Sequence, residues 1–258
     1  MTTTDDILAL AARAAPAARA KTDLADFAEA VTRGADSDAL RALRTLRPAH
    51  GGPAALPDSA AWRAWLTAAA AVAAAPRETT ARFIVCAAAT ALTDAALTDA
   101  ALADAALADG PGDDCLAAVA AGTEAAELVA SVLAGSVLAG SVLAESVLAG
   151  SVLAGSVLAE SGPAETGWSI TTVSAVIGAG LAAGMMLRLD QAKLRHALGV
   201  CATQAAGLRA AAGTHAGPLQ AGKAAFNAVE AAQLAGLGFT SSREPLDGRR
   251  GLFALFRS

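Results

Sequence analysis

Apolar residues recur along this chain at spacings of three and four, with almost no stretch that alternates apolar and polar, and that pattern predicts helices throughout. Residues 5 to 48 carry helical spacing. Thr4 or Asp5 is placed to cap a helix through Ile7-Leu8-Ala9-Leu10, and Thr22-Asp23 to cap one that begins Leu24-Ala25-Asp26-Phe27. His50-Gly51-Gly52-Pro53 and Pro57-Asp58-Ser59 break the pattern, and Asp58 or Ser59 then caps a helix from Ala60 to Ala75 that Pro76 stops. Trp62 and Trp65, at i and i+3, share one face of it.

Two tracts of period five interrupt this regularity. The first runs through residues 92–109 as variants of Leu-Thr-Asp-Ala-Ala. The second comprises six copies of Ser-Val-Leu-Ala-Gly/Glu from Ser131 to Glu160. Five residues advance about 140° around an α-helix, so the repeated Leu side chains spread to all sides and define no face. A pentapeptide β-helix is disfavoured because each of its coils needs several units, and because Val132 and its equivalents stand where that architecture wants a polar residue. A membrane span is disfavoured by Glu145, by recurring Gly and Ser, and by the absence of a basic flank. The second tract reads as an extended helix or helix-loop insertion of duplicated origin.

Composition agrees with a helical body. Hydrophobic residues make up 55% of the 258 positions and charged residues 17%, Ala dominates, aromatics are 3% and Tyr is absent. A core of Ala, Leu and Val gains its stability from many small contacts. The expectation is an all-α fold, with residues 1–258 forming a single all-helical domain. A net charge of −5 without a Lys/Arg cluster argues against nucleic acid as a partner. The polar, acidic start Met1-Thr2-Thr3-Thr4-Asp5-Asp6 is the opposite of a basic leader, which sets the expectation of a cytoplasmic protein with no membrane partner. Cys86, Cys115 and Cys201 are scattered and odd in number, and read as small buried hydrophobes. No His, Asp or Glu triplet has metal-ligand spacing, so neither a metal nor a cofactor is expected.

The specific signal lies in residues 167–256. Gly167-Trp168-Ser169-Ile170-Thr171-Thr172 precedes an apolar helix to Leu189-Asp190. There follow Ala197-Leu198-Gly199, Gln204-Ala205-Ala206-Gly207-Leu208, Pro218-Leu219-Gln220-Ala221-Gly222-Lys223 and Leu246-Asp247-Gly248-Arg249-Arg250-Gly251-Leu252-Phe253. In order and spacing these segments resemble the helical N-terminal domain of the MmgE/PrpD family, which includes 2-methylcitrate dehydratase, cis-aconitate decarboxylase and iminodisuccinate epimerase. The resemblance spans roughly residues 22 to 256 and is specific from Gly122-Thr123-Glu124 onward. It implies an MmgE/PrpD-like N-terminal helical domain lacking the C-terminal α/β lid domain, since the sequence ends at Ser258 where family members continue.

The same resemblance marks departures. The family motif Gly-aromatic-His-x-Thr supplies an imidazole where this chain has Ser169, and a family Lys falls on Gly217. The upstream family Asp and His have no counterpart between Thr67 and Thr80. A base and a cation suited to carboxylate substrates are thereby lost. Ser169 can donate and accept hydrogen bonds but cannot act as a base unaided. Thr171 and Thr172 are either helix caps or part of an anion site at a helix N-terminus. His215, in the Gly- and Pro-rich segment Gly213–Pro218, is the candidate catalytic residue, against the alternative of an exposed loop histidine. Trp168, Ser169, Thr171, Thr172, Arg209, Gln220 and Lys223 are candidate substrate contacts, with Arg209 and Lys223 suited to a sulfate, phosphate or carboxylate. His196 reads as structural. Asn227 and Glu230 share a helix face that either lines the cleft or is solvated.

Two functions from different classes follow. In the first, the chain is the helical subunit of a split enzyme acting on a small metabolite. A separate protein chain supplies the lid, and the chemistry is of lyase or cyclase type, such as ring closure by an internal amine with release of sulfate or phosphate. The chain looks most like stand-alone relatives from azabicyclic, aziridine-containing antibiotic pathways, and its Ala-rich composition fits specialised metabolism in a high-GC bacterium. In the second, it is a non-catalytic scaffold that stabilises a partner. An ordinary dehydratase or epimerase of a polycarboxylate, acting alone, is disfavoured because base and lid are missing.

Overall fold

The computed structural model describes residues 2–13, 17–49, 59–75, 77–93, 112–135 and 167–256. Among them are nine α-helices and no strand beyond one isolated bridge. The helices are α1 (Thr3–Leu10), α2 (Ala17–Gly34), α3 (Asp38–Ala49), α4 (Ala60–Ala74), α5 (Thr80–Thr90), α6 (Asp113–Gly135), α7 (Ile170–Met186), α8 (Gln191–Gln204) and α9 (Ala216–Gly236). His50 to Asp58, Pro76 and the period-five tracts, except Leu92, Thr93 and Ser131–Gly135, lie outside the described residues.

Helix α7 is the axis of the bundle. It is apolar on every side, and every residue from Thr172 to Gly184 is buried, as a helix without a polar face must be. Helices α5, α6, α8 and α9 surround it, and α4 lies between α9 and α2. Helix α6 is long and apolar enough to cross a membrane by length and composition alone. Its apolar residues instead pack within the bundle, against α7, α5 and α2.

Small residues decide how closely these helices meet. A Cβ on Gly178 would lie 2.2 Å from the Gly122 carbonyl oxygen, and a Cβ on Gly122 would lie 2.7 Å from that of Gly178, so α6 and α7 touch backbone to backbone. Gly222 does the same for α9: a Cβ there would sit 2.3 Å from the Trp65 ring. That gap lets Trp65 stack on Trp62 at 4.7 Å, with the Phe226 ring edge-on to both. Ser59 caps α4, its hydroxyl accepting from the Trp62 N–H at 3.3 Å.

Two expected caps are corrected. Helix α1 starts earlier than Thr4: Thr2 is its cap, in a reciprocal box with Asp5. The box is reinforced from the far end of the chain, because the Asp247 carboxylate accepts from the Thr3 and Thr4 N–H groups at 3.1 and 2.9 Å. Thr22-Asp23 caps nothing, since α2 begins at Ala17 and runs through it. The Thr22 hydroxyl returns to the Ala18 carbonyl, and buried Asp23 pairs with Arg82 at 2.8 Å while Arg82 reaches Asp26 at 3.1 Å. The cap-like residue is thus an anchor between α2 and α5. His196 is structural, its Nδ1 accepting the Ser241 N–H at 3.1 Å.

Candidate functional site

Before α7 the chain is briefly extended, and it is held there by residues 207–209. Ser169 N–H donates to the Gly207 carbonyl and Arg209 N–H to the Gly167 carbonyl, both at 3.0 Å, pairing Trp168 with Leu208 in an antiparallel bridge. Gly207 makes the pairing feasible. Its φ of 152° is uncommon for L side chains, and a Cβ would lie 2.9 Å from Thr172 and 3.3 Å from Ser169. On the other edge of Leu208 a side chain takes the place of a strand. Gln220 Oε1 accepts the Leu208 N–H at 3.1 Å, while its Nε2 donates to the Leu208 carbonyl and to Thr172 Oγ1, both at 3.4 Å.

Ser169 completes the arrangement as the N-cap of α7. Its hydroxyl accepts from the Thr172 N–H at 3.3 Å and lies 3.0 Å from Thr172 Oγ1. The capping role weighed for Thr171 and Thr172 therefore belongs to Ser169, whose extended backbone (φ −82°, ψ 96°) suits it. Thr172 is buried beneath Gln220, and Thr171 is half-buried, its carbonyl accepting from Ser174. Trp168, Ser169, Thr172, Gln220 and the Arg209 backbone are thus one connected cluster.

Lys223 is on the same helix as Gln220 and His215 immediately precedes that helix, but neither joins the Gln220 cluster. His215 is the N-terminal flanking residue of α9, exposed, and its ring makes no hydrogen bond among the described residues. The segment expected to be a non-helical loop is helical from Ala216, with Pro218 accommodated in the first turn, where an N–H would have no helical partner. Gly217, at the position of the family Lys, packs near the Ala211 carbonyl, 3.2 Å from where a Cβ would sit. Lys223 turns its ammonium over the rings of Phe226 and Trp65, at 4.0 and 5.1 Å from their centroids. Asn227 lies 3.5 Å from the Gln204 carbonyl, which ties α9 to the end of α8, and Glu230 is half-buried.

The thiols are outside this chemistry. All three are buried, and desolvation pushes Cys201 up to about 12, Cys115 up to about 11 and Cys86 well above the ordinary value. Among the described residues no group of three His, Cys, Asp or Glu side chains gathers where it could hold a metal ion.

Around the cluster apolar surface is exposed: Trp168 is 39% accessible, Leu208 58% and Leu219 42%. The sequence that builds this helical architecture, with Trp168 at the start of its buried axis and Gln220 facing it from α9, matches the family profile of the MmgE/PrpD N-terminal domain over residues 23–258. The chain belongs to this family. No curated protein matches the sequence. In this MmgE/PrpD N-terminal domain Ser169, the residue two after Gly167, uses its hydroxyl as a helix cap.

One feature was not legible as a site. On the far side of Trp168, between the C-terminal half of α8 and residues 242–256, lies an open groove of about 710 Å³. Its lining includes Trp168, Phe256, Leu255, Glu244, Arg249 and Arg250. The segment Asp247-Gly248-Arg249-Arg250-Gly251 carries part of the family resemblance, and its adjacent arginines were the available signal.

Proposed function

We propose that this MmgE/PrpD helical domain works as one subunit of a two-chain enzyme, with a separate chain covering the Trp168–Leu208–Leu219 face. The observation that carries the reading is that face itself. Three large apolar side chains are exposed around a backbone frame that Gly207, Ser169 and Gln220 hold in one shape. An apolar patch on a rigid scaffold is a surface suited to burial by another body.

The chemistry that fits is loss of a leaving group from a small metabolite. In its cyclase form an internal amine nitrogen attacks a carbon, the C–O bond to a sulfate or phosphate breaks, the anion leaves, and the amine proton passes to a base. His215 is the ionisable group among the candidates that is exposed and whose ring is uncommitted among the described residues, so it is the residue assigned to take that proton. Arg209 and Lys223 stand nearest in the chain to hold the departing anion, Lys223 by leaving its place over the Phe226 ring.

A second reading rests on a specific observation. Ser169, Thr172 and Gln220 satisfy one another and the backbone, and Lys223 lies over aromatic rings, an economy suited to a non-catalytic scaffold that stabilises its partner. One experiment separates the two. The chain is co-expressed with the products of its neighbouring genes, complexes are isolated by size exclusion, and turnover is measured with His215→Ala and Lys223→Ala. The enzyme reading expects a hetero-complex whose turnover falls at least tenfold in each variant. Full turnover in both variants supports the scaffold, and a well-behaved monomer that binds none of the products refutes the two-chain reading.

A further inference from the structure

The groove beside Trp168 contains none of His215, Gln220 or Lys223 but shares the Trp168 ring with the face proposed above, and its own lining sets what it can hold. Its lining combines two chemistries. One is apolar: Trp168 and Phe256 meet with ring centroids 6.1 Å apart and planes tilted by 56°, and Leu255, 68% accessible, also lines the groove. The other is cationic: Arg249 and Arg250, both exposed, line it as well. Neither guanidinium has an ion-pair or hydrogen-bond partner among the described residues, whereas the neighbouring Arg195 is paired with Asp5 at 2.7 Å. In a chain of net charge −5, two adjacent arginines that no described residue pairs, beside an aromatic floor, are a local exception. Glu244 is the carboxylate that lines the same groove.

We propose that this groove binds a small organic phosphate or sulfate ester. The Arg249 and Arg250 guanidiniums hold the tetrahedral oxyanion, and the flat or branched apolar body lies against Trp168 and Phe256. Adjacent guanidinium forks match an oxyanion with several acceptor oxygens better than a single cation does. Aromatic walls bury the apolar remainder, and the groove's volume falls within the range of small-molecule sites. Because both cations are exposed, each contributes modestly and the affinity falls with salt.

The test uses the three indole N–H signals of the protein in a proton–nitrogen NMR titration, with Trp168 assigned through Trp168→Phe. Phenyl phosphate and phenyl sulfate are the probes, with inorganic phosphate and phenol as the two half-ligands. The expected result is a saturable shift of the Trp168 signal while those of Trp62 and Trp65 stay in place. Arg249→Ala and Arg250→Ala each weaken binding about fivefold, and the double variant more than tenfold. Glu244→Gln tightens it about twofold, a gain that misfolding cannot produce. Both half-ligands bind at least tenfold more weakly than the esters. The proposal is overturned by an absence of saturation at about 10 mM ester, by undiminished affinity in the double variant, or by a half-ligand that binds as tightly as the esters.

Discussion

The Gln220 carboxamide is placed to act as a third strand beside Leu208, so its removal should loosen one short segment and little else. Gln220→Ala removes one bond of 3.1 Å to the Leu208 N–H and two of 3.4 Å, to the Leu208 carbonyl and to Thr172 Oγ1. Leu208 is exposed, so water replaces much of what is lost, and the net cost is about 1 kcal/mol. That corresponds to roughly fivefold faster exchange of the Leu208 amide through local opening, since about 1.4 kcal/mol is tenfold. Hydrogen exchange read by mass spectrometry on peptides spanning 205–212 and 167–172 measures it. Gln220→Glu is the sharper variant. At neutral pH its carboxylate accepts the Leu208 N–H but sets a lone pair against the Leu208 carbonyl. Protonation restores a donor, so the excess exchange, corrected for intrinsic rates, should shrink on acidification. Unchanged exchange at 205–212 in Gln220→Ala, or acceleration spread evenly over all helices, would refute the clamp.

Further outcomes follow from the frame. Gly178→Ala should lose about 1–2 kcal/mol, because a Cβ at 2.2 Å from the Gly122 carbonyl forces two helix backbones apart and outweighs the gain in helix propensity. Gly236→Ala, with its nearest contact at 3.5 Å, should gain up to about 1 kcal/mol, and equal thermal shifts in the two variants would contradict the close crossing. The thiols of Cys86, Cys115 and Cys201 should not react with Ellman's reagent at pH 8 in the folded protein and should all react after denaturation, given burial that raises the pKa of each, to about 11 for Cys115 and about 12 for Cys201. The Asp5 carboxyl is held down at about 2, chiefly by the Arg195 hydrogen bond and then by Thr2. For Asp247 burial raises the pKa, but the hydrogen bonds from Thr3 and Thr4 outweigh it and leave it below the ordinary value. A lowered folded-state pKa contributes stability above the unfolded value near 3.8 that disappears as pH falls through the folded one. The difference in thermal midpoint between the parent and Asp5→Asn should therefore vanish between pH 4 and about 2, and a constant difference across that window would show that the Arg195 pairing is not the cause.

The helices were legible because apolar spacing reports directly on burial, and the segment motifs located Trp168, Ser169 and Gln220 near one another. The caps were less legible. A Thr or Asp before an apolar run signals a helix start only if no helix already passes through it, and Asp23 answers to Arg82, 59 residues away in sequence. Pro218 marked a turn by composition, yet a first-turn proline costs a helix nothing. Lys223 could be assigned to a substrate because it is cationic, and only the structure places two aromatic rings beneath it. The groove depended on residues 242–256 folding back along α8, a contact that no local pattern encodes.

On the proposed reading a second chain covers the Trp168 face. Its rival is a second exposed apolar group, Leu187, Leu237 and Phe239, at the other ends of α7 and α9, roughly 25 Å away by the length of a 17-residue helix. Hydrogen exchange of this chain, alone and in complex with the product of a neighbouring gene, distinguishes them most directly. A partner seated on the Trp168 face gives new protection confined to peptides spanning 167–169 and 205–220. Protection at 187–189 and 236–240 instead, or none at either place in a stable complex, would contradict it.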